Sequence, residues 1–258
     1  MNLDAYLDRV GYAGPRRACI DLLSDLTVCH AGAIPFENVD VRLGRPIRLD
    51  LDSIEKKLVA SRRGGYCFEQ NTLFAAALRA LGFEVATLEA RVRPPGEAAV
   101  LPRTHMVLRV DVEGRAWLSD VGFGSDGPLG PVPLDGGPGA TEAGAVRVEP
   151  EGERRVLRRL RAGGWRDLYV FGLEPALPID YEVANFFTSN HPRSPFVTTL
   201  TAQIATPEAR FTLRGRTYTV ARGDAVEIRE LAAAEVPPLL RGRFGLDLSV
   251  EDLLRALG

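Results

Sequence analysis

The sequence predicts an α+β fold of about three units, on three observations. Apolar residues recur with helical spacing over the first eighty or so positions. From Glu84 they alternate with polar ones, and from Asn185 both patterns mix. Helices followed by strands followed by mixed elements give α+β rather than alternating α/β. The expected units are 1–83, 84–184 and 185–258.

Leu3, Tyr6, Leu7 and Val10 share one helical face. A second helix is expected from Pro15 to Cys29, a third near Ser53–Ala60, and a fourth from Cys67 to Leu81 with Gly82 as its stop. Glu84–Val92, His105–Val112 and Arg115–Val121 read as half-buried strands. Ala145–Val148, Arg154–Arg161 and Trp165–Val170 are further strands, and Gly122–Gly139, rich in Gly and Pro, reads as loop. Arg154, Arg155, Arg158, Arg159 and Arg161 read as a solvated strand face. Beyond Asn185 the expectation is a loop over Phe187–Pro195, then strands near Thr198–Ile204, Arg210–Leu213 and Arg216–Ala221. Helices finish the chain, the last opened by Ser249 and Asp252 as in a capping box.

Composition narrows the function. The 258 residues are 45% hydrophobic and 26% charged, as in ordinary globular proteins. The formal net charge of −2 gives no basic footprint for nucleic acid. No apolar run is long enough for a membrane helix, and Met1-Asn2-Leu3-Asp4 lacks the start of a signal peptide. Cys19, Cys29 and Cys67 cannot all pair and lack metal-site spacing, so reduced thiols in the cytoplasm and no metal are expected.

The chemistry centres on Cys67, which follows Gly64, Gly65 and Tyr66 at a helix start. Glycines allow a sharp turn and close approach, and a helix N-terminus stabilises a thiolate. Cys19, between Ala18 and Ile20, reads instead as a small buried hydrophobe. Three histidines are available as a base: His30, His105 and His191. A two-residue turn at Glu113-Gly114 pairs Val112 with Arg115 and, by counting, Val107 with Asp120. His105 and Asp120 then become diagonal neighbours on one face, roughly 7–8 Å apart at the backbone. A turn one residue longer would put them on opposite faces. Singly, His105 reads as a structural histidine and Asp120 as a turn former. Together with Cys67 they make a Cys-His-Asp triad the favoured reading. His30 ends a helix, where a cation is favoured, and His191 precedes Pro192 in the expected loop. The Gly-rich stretch Val121–Pro128 offers backbone N–H donors to an anion, without the lysine of a P-loop.

Five segments, in order along the chain, resemble the arylamine N-acetyltransferase family. They are Ile34-Pro35-Phe36-Glu37-Asn38, Arg63-Gly64-Gly65-Tyr66-Cys67-Phe68-Glu69-Gln70-Asn71, Thr104-His105-Met106-Val107-Leu108, Asp120-Val121-Gly122-Phe123-Gly124 and Asn185-Phe186-Phe187-Thr188-Ser189-Asn190-His191-Pro192. The resemblance covers roughly residues 1–200. It implies an N-terminal helical bundle, a central antiparallel β-barrel and a C-terminal α/β lid around a core like that of cysteine proteases. It implies Cys67 as acyl acceptor, His105 as base and Asp120 as its orienter. It also implies acetyl-CoA as donor and a small arylamine, hydrazine or hydroxylamine as acceptor. Phe36, Phe123 and Phe187 would line the acceptor pocket or its mouth. Leu101, Pro102, Thr104, Gly124, Ser125, Gly127 and Phe196 would lie near the coenzyme.

Three rivals keep the same residues. A macrolactam-forming amide synthase would take a carrier-bound polyketide thioester. A cysteine hydrolase would admit water. A non-catalytic binding module would leave the thiol unreactive. No nucleic-acid or membrane partner is expected.

Overall fold

The computed structural model describes residues 1–94, 96, 100–124, 126–137 and 146–258. Asn2 caps α1 (Leu3–Val10) by accepting the Ala5 N–H at 3.1 Å, and Tyr6, Leu7 and Val10 are buried as their spacing requires. The second helix, α2 (Ile20–Ala33), begins five residues later than the expected Pro15. Tyr12 donates its hydroxyl to the Pro15 carbonyl at 2.7 Å and holds that stretch in a turn. Next come β1 (Phe36–Glu37), α3 (Val39–Arg42) and α4 (Leu51–Ile54), which widens into a π turn over Glu55–Ala60. The bundle is completed by α5 (Cys67–Ala80), whose buried side is continuous with α1 and α2 through Leu23, Leu26, Leu73 and Phe74.

Seven antiparallel strands follow: β2 (Glu84–Val92), β3 (His105–Val112), β4 (Arg115–Ser119), β5 (Val132–Pro133), β6 (Val146–Glu151), β7 (Arg154–Arg161) and β8 (Gly164–Phe171). Their order is β5-β4-β3-β2-β8-β7-β6, and the end strands β5 and β6 approach each other to nearly close a barrel. Alternation sorts β3 between two cores. Met106, Leu108, Val110 and Val112 pack on the helical bundle, whereas Val107 joins Leu88, Leu118 and Tyr169 inside the barrel.

Two expectations for this region need correction. The Gly122–Gly139 stretch contains β5, which pairs with β4 through Trp117↔Pro133 and Leu118↔Val132. The arginines of β7 are not one solvated face. A bulge between Leu157 and Arg158 shifts the register, exposes Leu160 and buries Arg159. Arg159 donates to the carbonyls of Asp126 (2.8 Å) and Gly127 (2.7 Å).

The C-terminal part opens with α6 (Pro178–Asn190) and α7 (Pro195–Thr198). Residues Phe187–Asn190, expected as loop, are the last turn of α6, which also runs through residue 185. Their polar side chains fold back on the helix: Thr188 Oγ1 donates to the Ala184 carbonyl and Ser189 Oγ to the Asn185 carbonyl, both at 2.7 Å. Strands β9 (Thr201–Ala205), β10 (Arg210–Arg214), β11 (Thr217–Arg222) and β12 (Ala225–Glu230) form an antiparallel sheet in the order β1-β9-β10-β11-β12. Its back packs Ala202, Phe211, Leu213 and Val220 against α8 (Val236–Phe244) and α9 (Val250–Leu257). The N-terminal residues Phe36 and Glu37 therefore complete a C-terminal sheet. Among the described residues, no helix is long and apolar enough to cross a membrane, and no group of acidic, His and Cys side chains is arranged to hold a metal.

Candidate active site

Cys67 is the first residue of α5 and is held there by its approach strand. Gly65 bridges to Phe36 of β1, and Glu37 N–H donates to the Gly65 carbonyl at 3.0 Å. A Cβ on Gly64 would collide with the Pro35 carbonyl oxygen, so only glycine allows this approach. Beneath the turn lies a buried ionic network. Arg63 binds Glu37 at 2.7 Å, and Lys57 binds both Asp40 (2.9 Å) and Glu69 (2.8 Å). Glu69 in turn accepts the Tyr66 N–H at 3.1 Å.

His105 opens β3 and Asp120 directly follows β4, and both are buried. Val112 pairs with Arg115 across the Glu113-Gly114 turn, whose φ angles are +52° and +76°. That register puts His105 Nε2 2.8 Å from Asp120 Oδ2. The other ring nitrogen is left for Cys67. Burial alone would lower the His105 pKa; the Asp120 carboxylate, its hydrogen bond and Cys67 outweigh burial and raise it. Burial likewise pushes Asp120 up, but His105, Asn71 and the Gly122 N–H hold it below the ordinary carboxylate range. The Cys67 Sγ lies 3.6 Å from the Thr104 carbonyl oxygen.

Two residues of this centre have no role in the sequence reading. Asn71, four residues after Cys67 on the same helix face, is fully buried. Its amide nitrogen donates to Asp120 Oδ1 (3.0 Å) and the Met106 carbonyl (2.7 Å), and its oxygen accepts the Val121 N–H (3.2 Å). The i, i+4 spacing from Cys67 was the signal available for it. The Tyr169 ring lies tilted against His105 with centroids 5.0 Å apart, and Phe123 is 5.2 Å from both rings. Burial, with the Asp120 charge adding to it, keeps the Tyr169 phenol protonated.

An open cleft of about 770 Å³ ends at Cys67 and His105. Phe36, Phe123, Phe196, Leu101 and Thr104 line it. Phe187 is not among the described lining residues: on α6 its ring stacks on His191, 4.4 Å away. Pro102 is exposed beside Leu101 and does not line the cleft, nor do Gly124 and Gly127, which make a turn behind it (Gly127 N to Gly124 O, 3.0 Å). Ser125 lies outside the described residues. His30 is not a helix-terminal cation. It is fully buried, and burial lowers its pKa to about 4. His191 ends α6 and accepts the Arg193 N–H at 3.1 Å.

Comparison with known proteins accounts for nearly the whole chain. Residues 19–253 match the N-acetyltransferase family. The arylamine N-acetyltransferase of Mycolicibacterium smegmatis is 41% identical over 96% of this chain and 93% of its own length. That of Escherichia coli is 38% identical over 95% of this chain and 88% of its own length. The arylamine N-acetyltransferase structure from M. tuberculosis superposes with a TM-score of 0.93 at 37% identity, covering 100% of both chains. The Mycobacterium marinum enzyme in complex with CoA gives 0.91 at 36% identity, covering 99% of this chain and 98% of the other. By sequence along its length and by fold, the chain belongs to the arylamine N-acetyltransferase family.

Proposed function

We propose that this protein transfers an acetyl group from acetyl-CoA to the nitrogen of a small arylamine, arylhydrazine or arylhydroxylamine through an acetyl-Cys67 intermediate. The observation that carries this is the 2.8 Å His105–Asp120 pair set beside Cys67 at the floor of an open, aromatic-lined cleft. The activities in its relatives' names and the CoA-bound M. marinum structure support acceptor class and donor.

In the first half-reaction Cys67 Sγ gives its proton to the free ring nitrogen of His105 and bonds to the acetyl carbonyl carbon. Backbone N–H groups at the start of α5, which have no intrahelical acceptor, would stabilise the carbonyl oxygen as it gains charge. The carbon–sulfur bond to coenzyme A then breaks, and the departing sulfur takes the proton from His105. In the second half-reaction the amine nitrogen attacks the Cys67 thioester, His105 removes its proton, and the amide leaves as Cys67 regains that proton. Asp120 orients the imidazole and stabilises its charged form, as in other triads. Phe36 and Phe123 hold the aryl ring, while Leu101, Thr104 and Phe196 flank the thioester arm. Free Cys19, Cys29 and Cys67 suit a reducing compartment such as the cytoplasm.

The test is intact mass after exposure to acetyl-CoA alone, beside Cys67→Ala. One acetyl group on the wild type and none on Cys67→Ala is expected. An equal adduct on Cys67→Ala, or none on a wild-type thiol that iodoacetamide still alkylates, refutes the acetyl-Cys67 route. Coenzyme A release equally fast without amine would make the protein a hydrolase instead.

A further inference from the structure

The C-terminal sheet ends in a bare strand. β12 is the last strand in the order β1-β9-β10-β11-β12, and every residue from Ala225 to Glu230 is exposed. Val226 and Ile228 leave 55% and 69% of their surface in water. Sheet edges are commonly blunted by proline, lysine or a bulge. β12 contains neither proline nor lysine, and its pairing with β11 runs without a bulge from Thr217↔Glu230 to Arg222↔Ala225.

The turn before β12 decides which of its backbone groups are free. Gly223 (φ +59°) and Asp224 make a two-residue turn closed by Arg222↔Ala225. Such a turn closes on a pair that exchanges both backbone hydrogen bonds, and the pairs alternate from there. Ala225, Glu227 and Arg229 therefore direct N–H and C=O toward β11. Leu231 keeps the same phase, donating its N–H to the Arg216 carbonyl at 2.9 Å. Val226, Ile228 and Glu230 turn their N–H and C=O outward.

A second copy that meets this edge antiparallel must match outward residues with outward residues. Two symmetric registers overlap the strand over five residues. One sets Glu227 against the partner's Glu227, which is repulsive. The other centres on Ile228, sets Glu227 opposite the partner's Arg229 twice, and pairs Val226 with the partner's Glu230. That second register satisfies about six outward backbone groups on each strand. It also brings the two Ile228 side chains together on the axis. Within one chain Glu227 meets Arg222 at 3.1 Å and Arg229 meets Glu235 at 3.5 Å. These pairs are exposed and weak, so they do not hold the charges back from a partner. The alternating charges of β12 thus complement a second copy of the same strand.

We propose that β12 is a dimerisation edge, at which two copies of this chain pair antiparallel about a twofold axis at Ile228 and join their five-stranded sheets into one of ten strands. The interface is isologous, so it closes at two copies. The proposal stands apart from the acetyl-transfer reading. Val226 lines the catalytic cleft, and Ile228 faces the same side because it pairs with Thr219, another lining residue. Pairing therefore sets the two clefts side by side. An interface this small lies at the weak end for protein association, with Kd on the order of tens of micromolar.

The experiment is sedimentation velocity on the full chain from about 1 to 300 µM, with Ile228→Pro, Glu227→Arg, Arg229→Glu and the double variant Glu227→Arg/Arg229→Glu. Wild type should pass from monomer to dimer across this range. Ile228→Pro removes an outward N–H and no bond to β11, so it should fold and weaken the dimer at least tenfold. Each single charge variant should weaken it about tenfold or more. Mixing Glu227→Arg with Arg229→Glu should restore a dimer, as should the double variant, because both recreate opposite charges across the axis. A wild type that stays monomeric to 300 µM, whether its edge stays bare or takes a strand from another protein, overturns the proposal. So does a dimer that Ile228→Pro and Arg229→Glu leave within about twofold of wild type, or single variants whose mixture stays monomeric.

Discussion

Acid should destabilise this protein well above the range where carboxylates titrate, and His30 is the reason. The ring is fully buried between Tyr6 and Phe74. Its Nδ1 faces the Tyr6 hydroxyl at 3.0 Å and its Nε2 faces Gln70 Oε1 at 2.6 Å. The Gln70 amide nitrogen donates to the carbonyls of Pro35 (2.9 Å) and Gly65 (3.2 Å), so its oxygen must accept from Nε2–H and Nδ1 must accept from Tyr6. This neutral tautomer has no room for a second proton. Burial lowers the pKa from 6.5 to about 4, the Gln70 hydrogen bond opposes the shift, and Arg9 adds to it. The unfolded chain therefore binds more protons than the folded one as pH falls through this interval, and stability is lost there. At about 1.4 kcal/mol per pH unit the loss amounts to about 3 kcal/mol between pH 6.5 and 4. In a chain of this size that lowers the melting temperature by about 8 °C. The assay is thermal unfolding of wild type and His30→Gln at pH 7.5 and 4.5. The variant should be less stable at pH 7.5, because the Tyr6 and Gln70 contacts are rearranged, yet lose much less on acidification. Parallel losses in both proteins would refute the reasoning, since His30 would then not be the group taking up the proton.

Three further outcomes are expected. Asn71→Ala removes two donors and one acceptor from a dry site and strands the Met106 carbonyl and Val121 N–H; it should cost about 4 kcal/mol and lower turnover with it, and a melting temperature within about 2 °C of wild type would refute the clamp. The raised His105 value stabilises the fold fully below about pH 6.5 and is lost as pH climbs through that raised value, whereas the lowered Asp120 value contributes above about pH 3.8 and is lost as pH falls below it. Asp120→Asn should accordingly be less stable at pH 6 and show a flatter alkaline decline in urea titrations, and an unchanged slope would argue against the pair. Gly122→Ala would place a Cβ 2.7 Å from the Cys67 Cα and 2.6 Å from Asn71 Nδ2, so it should shift the start of α5 and cut acyl-enzyme formation about a hundredfold; near-normal rates in stopped-flow would show that the turn yields freely.

The parts of the site carried by local rules were readable in advance. The left-handed Glu113-Gly114 turn fixes the β3–β4 register, and register alone brings His105 to Asp120. The double glycine before Cys67 signals a close approach, and the structure supplies the obstacle in Pro35. What escaped reading depends on contacts distant in sequence or on one-residue irregularities. Nothing local marks the bulge that turns Arg159 inward toward Asp126 and Gly127. Thr188, Ser189 and Asn190 resemble a loop by composition, but each bonds the carbonyl four residues back and prolongs α6. Phe187 leaves the cleft for the same reason, since the extra turn carries it onto His191. His30 looks like a terminal cation until Tyr6 and Gln70 close around it.

The pairing of Phe36–Glu37 with β9 governs how the molecule can be assembled. More than a hundred and fifty residues separate Glu37 from its partner Ala202, so the loop closed by this contact is among the longest in the chain. Arg42 adds contacts of similar reach, donating to the carbonyls of Val197 and, at 2.7 Å, of Ala256. On a ribosome the helical bundle and the barrel emerge first, with the β1 edge bare and the turn before Cys67 braced on one side only. A nascent chain can thus hold Cys67, His105 and Asp120 without yet holding a finished cleft. Reactivity toward bulky donors should appear as a late, cooperative event of synthesis, when the C-terminal strands dock on β1.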